Sequence, residues 1–327
     1  MNTRRLPLKW IFFAEFFLSV VVGWGLAAYF LNNGQQITVH ATRSHEKFTY
    51  IHPLLDVGFS AKQPLDDVIQ ADIEQFILRS KQSKLISNAG VYFKNLTAGR
   101  GATINADLMF SPGNLLKVPI MIAYFKIAEK NPAILDERFV FRGESLESSN
   151  IFHKHTLLQE GTSYSVDELI KQMIVNGDRD AALLLFNNID KHTLNNIFSD
   201  LGIQFNEQKN NQDFISLRQY SLIYRVLFNA TYLTSDFSEK ALVLLIDADN
   251  SIGIGAGLPK NMPVANRFGG RIIPNNGTQT FEVHDCGIVY MNKPYLLCAA
   301  VQGVSLEDIK DFLKNLGQKI YFDMMQS

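Results

Sequence analysis

The residues best placed to do chemistry lie in the run Phe110-Ser-Pro-Gly-Asn-Leu-Leu-Lys-Val-Pro119. Ser111 followed by Pro112 predicts a helix N-cap with proline at the first helical position. Residues three apart on a helix share a face, so Lys117 lies one turn beyond Asn114 on the same side. A nucleophile at the first of these positions would sit at the positive end of the helix dipole, beside an amine able to take its proton when neutral. Here that position is an amide. Asn114 has no proton to yield near neutral pH, so Lys117 has no nucleophile there to activate. Ser111 is the nearest hydroxyl, but it is six residues before Lys117 and reads as the cap.

Other chemical signals are weaker. His153 and His155 fall on one side of an extended segment with no third ligand near them, and no metal site is expected. The glycine-rich run Gly253 to Gly257 lacks the preceding strand and following helix that a nucleotide fingerprint needs, so it reads as a loop, and no cofactor is expected. Cys286 and Cys298 are symmetric about Asn292. A hairpin turning there sets them directly opposite each other. Two packed thiols on the core face are the expectation; a cross-strand disulfide is the alternative, open to a domain outside the cytoplasm.

The elements that must position these residues follow from periodicity. Ile69, Ile73, Phe76 and Ile77 fall on one helix face. Gly90–Leu96 alternates as a strand, and the turn Ala98–Gly101 with a short strand to about Asn105 completes a hairpin. Leu116, Ile120, Tyr124 and Ile127 continue the helix that carries Lys117. Ser165 and Glu168 form a capping box for a helix running to Ile174, which Asn176-Gly177 interrupts. Helices over Ala181–Ile189, Ser216–Leu227 and Phe237–Ile246 follow. Val264–Gly269, Phe281–Tyr290 and Tyr295–Val301 are three strands, and Leu306–Met325 is a closing amphipathic helix. A block of helices inserted into an antiparallel sheet that other helices cover is an α+β arrangement.

The chain has 31 Lys+Arg against 32 Asp+Glu, which leaves no basic excess to grip a phosphate backbone and argues against nucleic-acid binding. With 46% hydrophobic and 19% charged residues it can fill a core. Two cysteines exclude a disulfide-dense scaffold and a four-thiolate zinc site. Trp10–Leu31 is a largely apolar run, long enough as a helix to span a hydrocarbon core of about 30 Å. Arg4, Arg5 and Lys9 precede it and no charge follows until Arg43. The expected organisation is therefore a cytoplasmic N-terminus (1–9), a single transmembrane signal-anchor (10–31), a linker or stalk (32–65) and an extracytoplasmic domain (66–327). A cleaved signal peptide, with Gly25 and Ala27 near the cleavage point, is the competing reading. Glu15 lies within the apolar run, where it either pairs with a partner helix or simply snorkels to the interface or sits protonated.

From about Asp66 to Gln326 the sequence resembles the class A β-lactamase-like serine hydrolases of the penicillin-recognising group. The likeness rests on Val91-Tyr-Phe-Lys-Asn-Leu, the Phe110–Pro119 run, Glu168-Leu-Ile-Lys-Gln-Met-Ile-Val-Asn-Gly-Asp-Arg-Asp-Ala-Ala, Asn266-Arg-Phe-Gly and His284-Asp-Cys-Gly-Ile-Val-Tyr, in that order. It implies a five-stranded antiparallel sheet flanked by helices, with an all-helical lobe. It also places the family's nucleophilic serine at Asn114, its S-D-N at Gly177-Asp178-Arg179, and its K-[TS]-G at Arg267-Phe268-Gly269. Lys117, Asp178 and Gly269 match the pattern, and Arg267 keeps the cation. Three hydroxyl positions are gone together. Between Ile203 and Phe214 Glu207 is the sole candidate for the family's deacylating glutamate, with no family-like context.

The resemblance therefore implies a domain held at a bacterial cytoplasmic membrane by one helix, without acyl-enzyme chemistry, that binds a cell-wall peptide or an envelope protein. Lys117, Arg267 and Arg179 would line a basic cleft suited to a carboxylate, with Asp178 holding the lysine. Two alternatives stand beside it: an active hydrolase of β-lactams or peptidoglycan peptides, and a structural domain of an envelope complex in which these charges only hold the two lobes together.

Overall fold

The computed structural model describes residues 48–53, 64–111, 113–143, 158–203, 215–249, 251–275 and 278–326. The apolar run at 10–31, His153, His155 and Glu207 lie outside the described residues. Among the described residues no helix is long and apolar enough to cross a membrane, and no cluster of three metal-ligating side chains occurs.

Helix α1 (Pro64–Gln82) leads into the hairpin β1 (Asn88–Asn95) and β2 (Gly101–Ile104). The two-residue strand β3 (Met109–Phe110) follows, then a 3-10 turn (Gly113–Leu116) and α2 (Lys117–Ala128). A small ribbon pairs β4 (Arg138–Val140) with β5 (Ser163–Ser165). The helical block holds α3 (Val166–Ile174), α4 (Arg179–Asn188), α5 (Lys191–Asp200), α6 (Leu217–Phe228) and α7 (Ser235–Ile246), with the short β6 (Ile215–Ser216) pairing β3. The chain then runs through β7 (Val264–Asn275), β8 (Thr278–Val289), β9 (Tyr295–Gly303) and α8 (Leu306–Met325).

The main sheet has the order β2-β1-β9-β8-β7, antiparallel throughout, so the N-terminal hairpin joins the C-terminal meander along β9. Alternation splits the sheet's side chains between two cores. One face packs on the helical lobe, where Cys286, Ile288 and Leu296 meet Tyr124, Leu169 and Tyr220. The other is covered by α1 and α8, where Val283, Leu297 and Val301 meet Ile73, Phe312 and Leu316. The expected α+β architecture is observed.

The local stops follow sequence chemistry. Ser165 and Glu168 form the reciprocal cap of α3, and Ser216 with Gln219 does the same for α6. Strand β7 extends past the expected Gly269 to Asn275. It is the sheet edge, where Pro274 is tolerated because no further strand needs its missing N–H.

Three expectations are corrected. The helix expected to start at Pro112 begins with the 3-10 turn Gly113–Leu116, and its α-helical part starts at Lys117 with no side-chain cap. The left-handed backbone of Gly113 ends the extended segment there instead. The run Gly253–Gly257 is not an open loop, because Ile254–Gly257 forms a 3-10 turn packed against α8. Cys286 and Cys298 are not two packed thiols. They are bonded across β8 and β9, because the hairpin register sets them directly opposite in a fully buried layer.

Candidate functional site

Asn114 lies in the 3-10 turn that precedes α2 and is partly exposed. Strand β7 comes up against it at Gly269. A Cβ on Gly269 would stand 3.0 Å from the Asn114 Cβ and 3.3 Å from its backbone nitrogen. The glycine is thus what lets an edge strand approach the start of the helix this closely. Tyr220 fixes the turn from behind, its buried hydroxyl donating to the Leu115 carbonyl at 2.8 Å.

Lys117, at the first position of α2, is 4% exposed, and its Nζ donates to the Gly177 carbonyl at 2.7 Å. Burial holds its ammonium well below the ordinary lysine range, and the Arg267 cation pushes the same way. Asp178 opposes this by attraction, Arg179 adds to it, and Asp180 opposes it in turn. Asp178 is buried and caps α4, accepting from the Ala181 N–H at 3.0 Å. Lys117 is therefore an amine biased toward its neutral, basic form, and the residue one turn before it is an amide.

Arg267, on β7, is 7% exposed. Its Nη1 donates to the Ile174 carbonyl at 3.0 Å, at the C-terminal end of α3, where carbonyls lack intrahelical partners. Gly177 has φ +70°, and a Cβ there would meet Arg267 Nη2 at 2.9 Å. The guanidinium thus fills the space that a side chain at position 177 would need. The two basic side chains converge on one turn, Ile174 to Asp178, the lysine from α2 and the arginine from β7. Arg179 follows that turn as the first residue of α4 and is partly exposed. Of the expected site residues, the structure sets Asn114 beside Gly269, and gathers Lys117, Asp178 and Arg267 round Gly177. Lys117 and Arg267 are both buried, and each donates to a backbone carbonyl of the turn they share.

A second group of charges on the sheet was not singled out from the sequence. His284 pairs across the ladder with Gly269 and stacks on Phe110 with ring centroids 4.3 Å apart. Its Nε2 lies 3.0 Å from Glu282 Oε1, and Glu282 also accepts from Arg271 and Gln302. Burial of Glu282 works against ionisation, but these donors outweigh it and hold the carboxyl down at about 2. On the opposite face Asp285 is fully buried and accepts from the Ile254 N–H and the Asn266 side chain. Burial outweighs those bonds and pushes its carboxyl up to about 7. The alternation of β8 puts residues 282 and 284 on one face and 285 on the other, which is the signal that could have found them.

The sequence matches the profile of the beta-lactamase enzyme family over residues 69–323. The chain belongs to that family. Among solved structures, PBP-A in an acyl-enzyme complex with penicillin G is 20% identical. The match covers 82% of this chain and 100% of that one, with a TM-score of 0.68. A β-lactamase from Xanthomonas campestris is 19% identical over 80% of this chain and 98% of its own, with a TM-score of 0.64. A class A β-lactamase from Bacteroides cellulosilyticus is 15% identical over 79% of this chain and 99% of its own, with a TM-score of 0.67. No curated protein matches the chain. At these identities the solved structures speak to the fold. The family is that of serine hydrolases, and this member carries Asn114 at the start of the helix that bears Lys117.

Proposed function

We propose that this chain is a membrane-tethered, extracytoplasmic member of the β-lactamase family that forms no acyl-enzyme and serves the cell envelope by binding a cell-wall peptide or a protein partner. The observation that carries the reading is Lys117: a buried amine, biased toward its basic form, whose hydrogen bond goes to the Gly177 carbonyl and whose neighbour one turn earlier is the amide of Asn114. General-base activation needs a hydroxyl or thiol within reach, and an amide supplies neither. The tether is supported by the apolar run Trp10–Leu31 with Arg4, Arg5 and Lys9 before it.

A second reading is favoured by the burial of Lys117 and Arg267 and by their bonds to backbone carbonyls of the protein itself. In that reading the charges serve only to hold the helical lobe on the sheet, and the domain works as an interaction module.

The test is to incubate the full chain, and its Asn114→Ser variant, with a fluorescent penicillin and to read intact mass. No adduct on the native chain is expected. Labelling of Asn114→Ser alone would mean that the cleft is intact and that only the nucleophile is missing. A stoichiometric adduct on the native chain would overturn the proposal, and peptide mapping would name the nucleophile. Titration with a muropeptide then separates binding from a purely structural role.

A further inference from the structure

Residues 48–53 fall in the stretch expected to be a partly ordered stalk, and they lie on the body of the domain. The N–H groups of Thr49 and Tyr50 donate to Glu239 Oε1 at 2.7 and 3.1 Å, and those of Tyr50 and Ile51 donate to Oε2 at 2.9 and 2.9 Å. The His52 N–H donates to the Phe228 carbonyl at 2.6 Å, at the end of α6. Ile51 is 4% exposed and belongs to the core of the helical lobe. The Tyr50 ring meets Tyr290 edge-on at 4.9 Å, and the His52 ring stacks on Phe228 at 5.8 Å.

Three successive amides converging on one carboxylate form a concave anion cradle made of backbone. Extended chain with no tertiary partner has no reason to aim its donors this way, because water satisfies them equally well. The carboxylate comes from α7, the carbonyl from α6 and the Tyr290 ring from the end of β8, so the seat bridges the helical lobe and the sheet.

We propose that this surface is a docking groove for an extended peptide, and that its resident ligand is the chain's own segment 48–53, strapped down by the Glu239 carboxylate. The groove takes a segment with consecutive free amides, an aliphatic side chain for the buried pocket and an aromatic ring on either side of it. The strap fixes where the chain leaves the domain.

The experiment is hydrogen exchange on the full chain in detergent, comparing the native protein with Glu239→Gln and Glu239→Ala. In the native protein the amides of residues 49–52 should be protected as one group. Glu239→Gln should speed their exchange by about tenfold, and Glu239→Ala by more, with α6 and α7 unchanged. Native amides exchanging at the rate of an unstructured peptide would overturn the proposal. So would protection that survives both variants. If Glu239→Ala loosens the whole domain, the partly exposed and near-isosteric Glu239→Gln decides the matter. None of these outcomes depends on whether the chain sits in a membrane or on whether penicillin labels it.

Discussion

Replacing Gly177 by alanine tests whether Arg267 occupies the notch beside it. The substitution has two separable costs. Gly177 has φ +70°, and an L residue in that left-handed region costs about 1–2 kcal/mol. The new Cβ would also stand 2.9 Å from Arg267 Nη2, so the guanidinium must move. An arginine tip is flexible, but this one is buried and bonded to the Ile174 carbonyl, and losing a charged hydrogen bond costs about 1.5–3 kcal/mol. The sum is roughly 2.5–5 kcal/mol, a large share of the 5–15 kcal/mol that holds a typical domain together. The discriminating measurement is a double-mutant cycle with Arg267→Ala. In the arginine-free background only the backbone cost remains, so the two substitutions should couple by about 1.5–3 kcal/mol. Urea unfolding should be followed by far-UV circular dichroism, because both tryptophans, Trp10 and Trp24, precede the domain. A coupling below about 0.5 kcal/mol, the scatter of independent sites, would refute the notch argument.

Two further outcomes follow from the buried groups. The Asp285 carboxyl, pushed up to about 7, makes the native state bind more protons than the unfolded chain from about pH 4 upward. Its contribution to stability is therefore complete in acid and is lost as pH rises through 7; urea midpoints at pH 4.5 and 7.5 should differ less in Asp285→Asn, and an identical difference in both proteins would contradict this. The Cys286–Cys298 bond closes a sequence separation of 12 inside a fully buried layer. Its loss in a Cys286→Ala, Cys298→Ala variant should cost about 2–4 kcal/mol, and thiol alkylation of the native protein without denaturant should label neither cysteine; rapid labelling would show both to be free.

The parts of the fold written as strong periodicity were legible. The capping box at Ser165, the helix Leu306–Met325 and the hairpin turning at Asn292 could all be placed from local chemistry. Helix α5 was missed because its buried face is only Leu194, Ile197 and Phe198 among polar residues, although Asp190 caps it by accepting from Thr193. The true length of β7 was missed because Gly269, Gly270 and Pro274 are poor strand formers, and only the edge position makes them acceptable. At the site, residue identities and their order could be read, but side-chain direction could not. Whether Arg267 faces an open cleft or folds onto Ile174 depends on the space left by Gly177, which lies 90 residues earlier in the chain. Glu239 gave no sequence signal either, because its partners are backbone amides about 190 residues away, which carry no residue code.

The residues at positions 177 and 267 are better understood together than apart. Arginine carries a longer, planar cation than lysine, with several donors in a fixed fork. Turned inward from β7 it needs room for that fork and a carbonyl to receive it. The end of α3 offers the carbonyl, and the absence of a Cβ at Gly177 offers the room. A hydroxymethyl group at position 177 would take that space and force the buried guanidinium from its place on the Ile174 carbonyl, which is costly. Lys117 meets the same turn from the opposite side through the Gly177 carbonyl. Helix α2, strand β7 and the turn between α3 and α4 are thereby joined by two side-chain bonds to backbone carbonyls. A hydroxyl placed at position 114 leaves that staple untouched. One placed at position 177 breaks it, so Asn114→Ser and Gly177→Ser should differ in stability even if neither forms an acyl-enzyme.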